Sequence, residues 1–140
     1  MASIRSRIGE SMEDRYLFRG KTIIGDWVQG FLASKDDKWY IGNKAGRPLA
    51  FEIRPETICQ CTGLKDKNGK LIWENDVMTA HLDDDYPEDE TYIRILWHGS
   101  GFYSKEKGSE DMLQVGEFDQ EYFEVCGNIF DNPELSESEE

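Results

Sequence analysis

Three cysteines and two histidines are the residues of this 140-residue chain best suited to chemistry. Cys59 and Cys61, two positions apart, would share one face of a strand, and with His81, His98 or Cys126 they could make a zinc set. Structural zinc sites draw on two closely spaced ligand pairs such as Cys-x₂-Cys, and this chain has neither that spacing nor a second pair. The cysteines read instead as small core residues with reduced thiols, and no metal or other cofactor is expected.

A catalytic cysteine or serine needs a base within hydrogen-bond reach. His81 falls in an apolar strand pattern and His98 in a turn before Gly99, and neither spacing matches a nucleophile motif. Both histidines read as structural. The acidic run Asp83 to Glu90 could attract calcium, but a calcium loop starting at Asp83 would need Gly in place of Glu88 and Glu in place of Arg94. Gly99-Ser100-Gly101 has no following Lys and helix, so it is no phosphate loop. Trp27, Trp39, Trp73 and Trp97 sit in strand patterns, where inward packing is the ordinary role, although an aromatic ligand platform would use the same residues. No catalytic, cofactor-binding or metal-binding residue is assigned, and the chain is read as a non-enzyme.

The elements that would position these residues are strands. Tyr16 to Phe18 and Trp27 to Leu32 read as a hairpin turning through Gly20, Gly25 and Asp26, and Trp39 to Ile41 as a short strand stopped by Gly42 and Asn43. A further turn surrounds Gly46. Leu49, Phe51 and Ile53 alternate with Ala50 and Glu52 until Pro55 ends the segment. Asn68-Gly69 ahead of Leu71-Ile72-Trp73 predicts a type I′ hairpin turn, with positive φ at both residues. Glu74-Asn75-Asp76 interrupts two apolar runs, which makes Asn75 a turn or bulge residue with positive φ. Ile93, Ile95 and Trp97 share a face, and His98 to Gly101 forms a tight turn before Phe102 and Tyr103. Gly108 to Gly116 is polar and gives no period, Tyr122 to Ile129 is another strand, and Asn132 to Leu135 starts a short helix. The sum is a mainly β protein (β-rich α+β) of roughly seven to nine short antiparallel strands with few short helices, arranged as a small barrel or two packed β units.

Composition agrees with one folded body. Seventeen aromatic side chains supply buried area that a disordered chain lacks. Residues 1–12 read as a loose leader or added extension, 13–135 as the folded domain and 136–140 as an acidic tail. No apolar run approaches the ~20 residues of a membrane span and no secretory leader is visible, so a cytoplasmic location is expected. The net charge of -13 argues against direct binding to nucleic acid. Its division is uneven: residues 1–73 hold 13 Lys and Arg against 9 Asp and Glu, whereas residues 74–140 hold 3 against 20.

Two segments, Thr62-Gly63-Leu64-Lys65-Asp66-Lys67-Asn68-Gly69-Lys70 with Leu71 to Val77, and Val125-Cys126-Gly127-Asn128-Ile129-Phe130-Asp131-Asn132-Pro133-Glu134-Leu135, together resemble the YopX family of phage and prophage proteins. The opening Arg15 to Gly20, with Trp27-Val28 and Gly30, matches as well, so the likeness spans about residues 13–135. The chain departs from the family pattern at Asn75, where Gly is usual, and at Cys126, where a β-branched residue is usual. Asn preserves the option of positive φ. The resemblance implies a β-rich fold with an SH3-like barrel portion and a source in a phage or integrated element. The family has no established activity, so it transfers no functional residues.

Three functions follow as expectations. The leading one is an uncharacterised phage accessory protein acting through protein–protein interaction or self-assembly, as a homo-oligomer or with a host or phage protein. The alternatives are an acidic mimic of nucleic acid that inhibits a host enzyme, and an enzyme whose site the sequence does not disclose. A prediction for the cysteines closes the chemistry: protein purified without chelator should carry no stoichiometric transition metal by elemental analysis. One zinc per chain, lost in Cys59→Ser, would reverse that reading.

Overall fold

The computed structural model describes residues 14–42, 50–81, 90–115 and 122–135. The leader, the turn around Gly46, the acidic run before Glu90 and the tail lie outside the described residues. Within them the protein is mainly β, with eleven short strands and two 3₁₀ turns. Two more strands are present than the seven to nine expected from sequence. No helix is long and apolar enough to cross a membrane among the described residues. The chain divides into two compact units, Met1–Gly63 and Leu64–Glu140.

In the first unit β1 (Phe18–Lys21), β2 (Trp27–Lys35), β3 (Lys38–Gly42), β4 (Ala50–Ile53) and the start of β5 (Cys59–Lys65) are ordered β4-β3-β2-β1-β5. β1 and β2 form the expected hairpin, with Phe18 opposite Gly30 and Lys21 opposite Trp27. However, β1 starts at Phe18, where the sequence pattern puts its end, and Gly20, expected in the turn, is a buried strand residue opposite Val28. Its turn is closed by Thr22, whose backbone N–H donates to the Asp26 carbonyl at 2.9 Å and whose hydroxyl accepts the Asp26 N–H at 3.2 Å. β2 runs further than the apolar pattern, to Lys35, and turns at once into β3 through Asp36 (φ 53°) and Asp37 (φ 65°). Two consecutive left-handed residues define the type I′ geometry. Asp tolerates it because its short polar side chain bonds locally.

The end of β4 returns to the end of β1. Thr22 bridges Ile53, and the Arg54 N–H donates to the Lys21 carbonyl at 2.8 Å. Pro55 stops the strand and opens a 3₁₀ turn, Pro55–Thr57. The buried Thr57 hydroxyl donates to the Arg54 carbonyl at 2.7 Å and accepts the Lys21 N–H at 2.8 Å, which holds the turn against β1. A single bridge, not a full ladder, makes this a partly closed barrel. Ile41 and Ile53 fill its interior at 1% and 2% exposure.

The second unit begins with the end of β5 and continues through β6 (Leu71–Trp73), β7 (Asp76–His81), β8 (Glu90–His98), β9 (Gly101–Glu106), β10 (Met112–Gln114) and β11 (Glu124–Asn128). The last five form an antiparallel sheet ordered β10-β9-β8-β7-β11. Its buried face carries Met78, Ala80, Ile93 and Ile95, joined by Ile72 and Phe123 and flanked by Leu64, Phe102, Val115 and Val125. Full burial of each large side chain stabilises the unit by roughly 1.5–3 kcal/mol. The alternation of β8 places Ile93 and Ile95 inside, while Trp97 at its far end runs beyond the core and stays 46% exposed, edge-on to Phe102.

β6 turns into β7 at Glu74 and Asn75. Asn75 has φ 72°, the left-handed conformation its position predicts. Its N–H donates to the Ile95 carbonyl at 2.6 Å, its carbonyl accepts the Ile129 N–H at 3.1 Å, and its side-chain oxygen accepts from Arg94 at 3.1 Å. The same turn is held by the buried Asp76 carboxylate, which accepts the Trp73 N–H at 2.7 Å. Asn75→Gly and Asn75→Val both lose the bond from Arg94, so in urea melts the Val variant should be the less stable of the two by on the order of 1–2 kcal/mol, because only the β-branched residue resists the left-handed region. Equal stability of the two variants would contradict this account.

Candidate interaction surfaces

The residues with chemical potential are kept apart or engaged in structural contacts. Cys59 and Cys61 are wholly buried and form no disulfide. The Cys59 thiol donates to the Thr57 carbonyl at 3.3 Å and the Cys61 sulfur accepts the Gly63 N–H at 3.4 Å, so their role as small core residues stands. Cys126 differs: it is exposed, at a bulge where the pairing of β11 with β7 shifts between Val125 and Gly127. His98 is exposed at the end of β8, with its ring edge-on to Tyr103 at 6.0 Å, and His81 lies in β7. Ser100 sits in the β8–β9 turn, where Gly99 has φ 64° and a strand follows. Among the described residues no three His, Cys, Asp or Glu side chains group as metal ligands.

Inward packing holds for Trp73 alone among the four tryptophans, at 4% exposure. Trp39 and Trp97 are 38% and 46% exposed. Trp27 is half-buried, with the Arg19 guanidinium 4.8 Å and the Lys21 ammonium 5.4 Å from its ring centroid. β1 and β2 create this arrangement, because Lys21 lies directly opposite Trp27 and Arg19 opposite Gln29, on one face of the sheet. A cation over an indole face is attracted by the ring quadrupole, by about 0.5–1 kcal/mol at exposed sites. On the other face, Trp39 opposes Ile53 and Phe51 opposes Ile41, so Trp39 and Phe51 are diagonal neighbours at 38% and 45% exposure.

The two segments that carry the resemblance meet in space. The loop between β5 and β6 is not the type I′ turn expected at Asn68-Gly69: only Gly69 has positive φ, at 82°. Its geometry follows from the Asp66 side chain. One carboxylate oxygen accepts the N–H groups of Asn68 and Lys70, each at 2.9 Å, and the other accepts the Val125 N–H of β11 at 2.9 Å. A longer loop with a left-handed glycine at its end satisfies this pull. Around the same junction the Lys67 N–H donates to the Phe123 carbonyl at 3.2 Å and the Asn68 amide to Glu124 at 2.8 Å.

The second segment closes on itself just beyond. The Asn128 side-chain oxygen accepts the N–H groups of Phe130 and Asp131, both at 2.9 Å, and the Asn132 side-chain oxygen accepts the Asn128 N–H at 3.3 Å. A β-carbon at Gly127 would collide with the Asn132 amide, so the close approach requires glycine there. Pro133 then opens the short 3₁₀ turn Pro133–Leu135, where sequence predicted a short helix. These residues build the fold.

Among the described residues the molecule is thus a mainly β protein whose polar motif residues are structural. The model of the YopX protein family matches residues 19–137, and the chain belongs to that family. No curated protein matches it. Among solved structures it is similar to protein EF1440 from Enterococcus faecalis, at 22% identity and a TM-score of 0.55, over 87% of this chain and 97% of that one. At that identity the likeness shows the fold.

The Asp66 junction yields a test of the motif. Asp66→Ala strands three amide N–H groups and should cost about 3 kcal/mol in chemical denaturation, since bonds to a charged acceptor are worth about 1.5–3 kcal/mol each and partial hydration recovers some. Val125→Ala removes apolar contact but keeps the backbone donor, and should cost about half as much or less. The reverse order would show that packing, not the carboxylate, holds the junction.

Proposed function

We propose that the protein is a non-enzymatic accessory protein of a phage or prophage that acts through protein–protein contact. The observation that carries this reading is the Trp39 and Phe51 pair, diagonal neighbours exposed on one face of β3 and β4. Each large aromatic left in water forgoes part of the roughly 1.5–3 kcal/mol that burial contributes, and a partner covering both would recover it. Tryptophan and other aromatics are enriched at the anchoring positions of protein interfaces. Lys38 and Glu52, 3.9 Å apart, form their exposed ion pair on the opposite face of the same strands, worth about 0–1 kcal/mol, and leave the aromatic face uncharged. The engaged states of the cysteines and of His98 support the non-enzymatic part of the reading.

Site-specific cross-linking tests it. A photoreactive phenylalanine analogue in place of Phe51, in lysogenic or infected cells, should give one discrete conjugate whose mass identifies a second copy or another protein. The same analogue at exposed Lys35 should give none. Adding Trp39→Ser should lower the yield about tenfold, the size of change that losing one aromatic anchor produces. Equal, diffuse labelling from both positions would overturn the proposal.

A further inference from the structure

β10 is one of the two outermost strands of the second unit's sheet. β10 borders β9 on one side, and among the described residues no strand pairs with its other side. All three of its residues are exposed, Leu113 at 70%. Natural edges are shielded by lysine, proline, bulges or covering segments. Met112, Leu113 and Gln114 include no such guard residue.

The direction of the unused backbone groups follows from the register. Met112 opposes Lys105, Leu113 opposes Ser104 and Gln114 opposes Tyr103. One step on, the Val115 N–H donates to the Phe102 carbonyl at 3.3 Å. In an antiparallel pair the residues that bond to the neighbour alternate with those that do not. Val115 and Leu113 therefore turn their backbone groups toward β9, and the Leu113 carbonyl also accepts the Ser104 hydroxyl at 3.4 Å. Met112 and Gln114 must turn theirs outward, leaving two N–H donors and two carbonyl acceptors in the spacing that a further strand uses. The side chains of Met112 and Gln114 project from one face of the sheet and that of Leu113 from the other.

Charge selects the occupant. Glu110 and Asp111, both exposed, lead directly into β10, and residues 64–140 hold 21 Asp and Glu against 6 Lys and Arg. A second copy would bring the same acids to the same edge and be repelled. We propose that β10 is a docking edge for an extended segment of another protein, one in which apolar residues are flanked by lysine or arginine, added as a further strand. This rests on reading the protein as an interaction module and places a second contact on it. Backbone pairing supplies affinity in this mode, while side chains and flanking charge supply selectivity.

The test uses the full chain and a synthetic peptide of alternating valine and threonine with lysine at both ends, labelled for anisotropy. Gln114→Pro removes an outward N–H and leaves the β9 ladder intact, so it should weaken peptide binding about tenfold or more without shifting the unfolding midpoint. Leu113→Pro removes an inward N–H and should lower the midpoint. Methylating alternate peptide amides should abolish binding in one register and spare it in the other. Replacing the peptide lysines with glutamate should weaken binding about tenfold, and Glu110→Lys with Asp111→Lys should reverse that preference. Equal affinity of the wild type and Gln114→Pro for the lysine peptide, or no binding by the wild type, would overturn the inference. A wild-type dimer that Gln114→Pro dissolves would overturn it in favour of a second copy. The Phe51 conjugate in cells does not depend on β10, so its survival in Gln114→Pro would leave the broader reading standing while this one failed.

Discussion

The buried carboxylate of Asp66 is the interaction on which the second unit depends. A carboxylate at 6% exposure is costly unless its lone pairs are used, and here they accept three backbone N–H groups from two parts of the chain. Two of those donors belong to its own loop and one to β11. The same side chain therefore sets the shape of the β5–β6 connection and the seating of the last strand. Asn75 completes the frame from the other end of β7, linking β8 through Ile95 and the segment after β11 through Ile129.

The turns show how local chemistry and tertiary demand compete. Asn68-Gly69 has the residues for a type I′ turn, yet only Gly69 is left-handed because Asp66 draws the loop into a longer form. Asp36-Asp37 is a weaker candidate by residue type and adopts the two-residue geometry, since β2 and β3 pair to their ends with Lys35 opposite Lys38. The register of the flanking strands leaves that connection no slack.

The surfaces follow from the same economy of size. Small β units have little interior, and side chains at strand ends run past it. Trp39, Phe51 and Trp97 occupy such positions, and the apolar area they leave in water is available to a partner. Edges follow similar logic: the Thr22 bridge to Ile53 partly closes the sheet of the first unit, whereas among the described residues no strand pairs with the outer side of β10. The contact functions proposed for this YopX family member lie where the fold could not bury its own apolar and backbone groups.

By itself the sequence determined the mainly β class, the alternation of β8, the stop at Pro55 and the left-handed Asn75, because each depends on sterics or periodicity within a few residues. The segments carrying the family likeness were also visible, though not the reason for them, which is a contact across 59 positions from Asp66 to Val125. Only the tertiary structure decided that β10 is a strand, since a segment with no buried face has no apolar period and owes its conformation to pairing with β9. It also decided which tryptophans stay in water. All four lie in similar strand patterns, and whether a side chain is covered depends on how far its strand extends beyond a core assembled from distant parts of the chain.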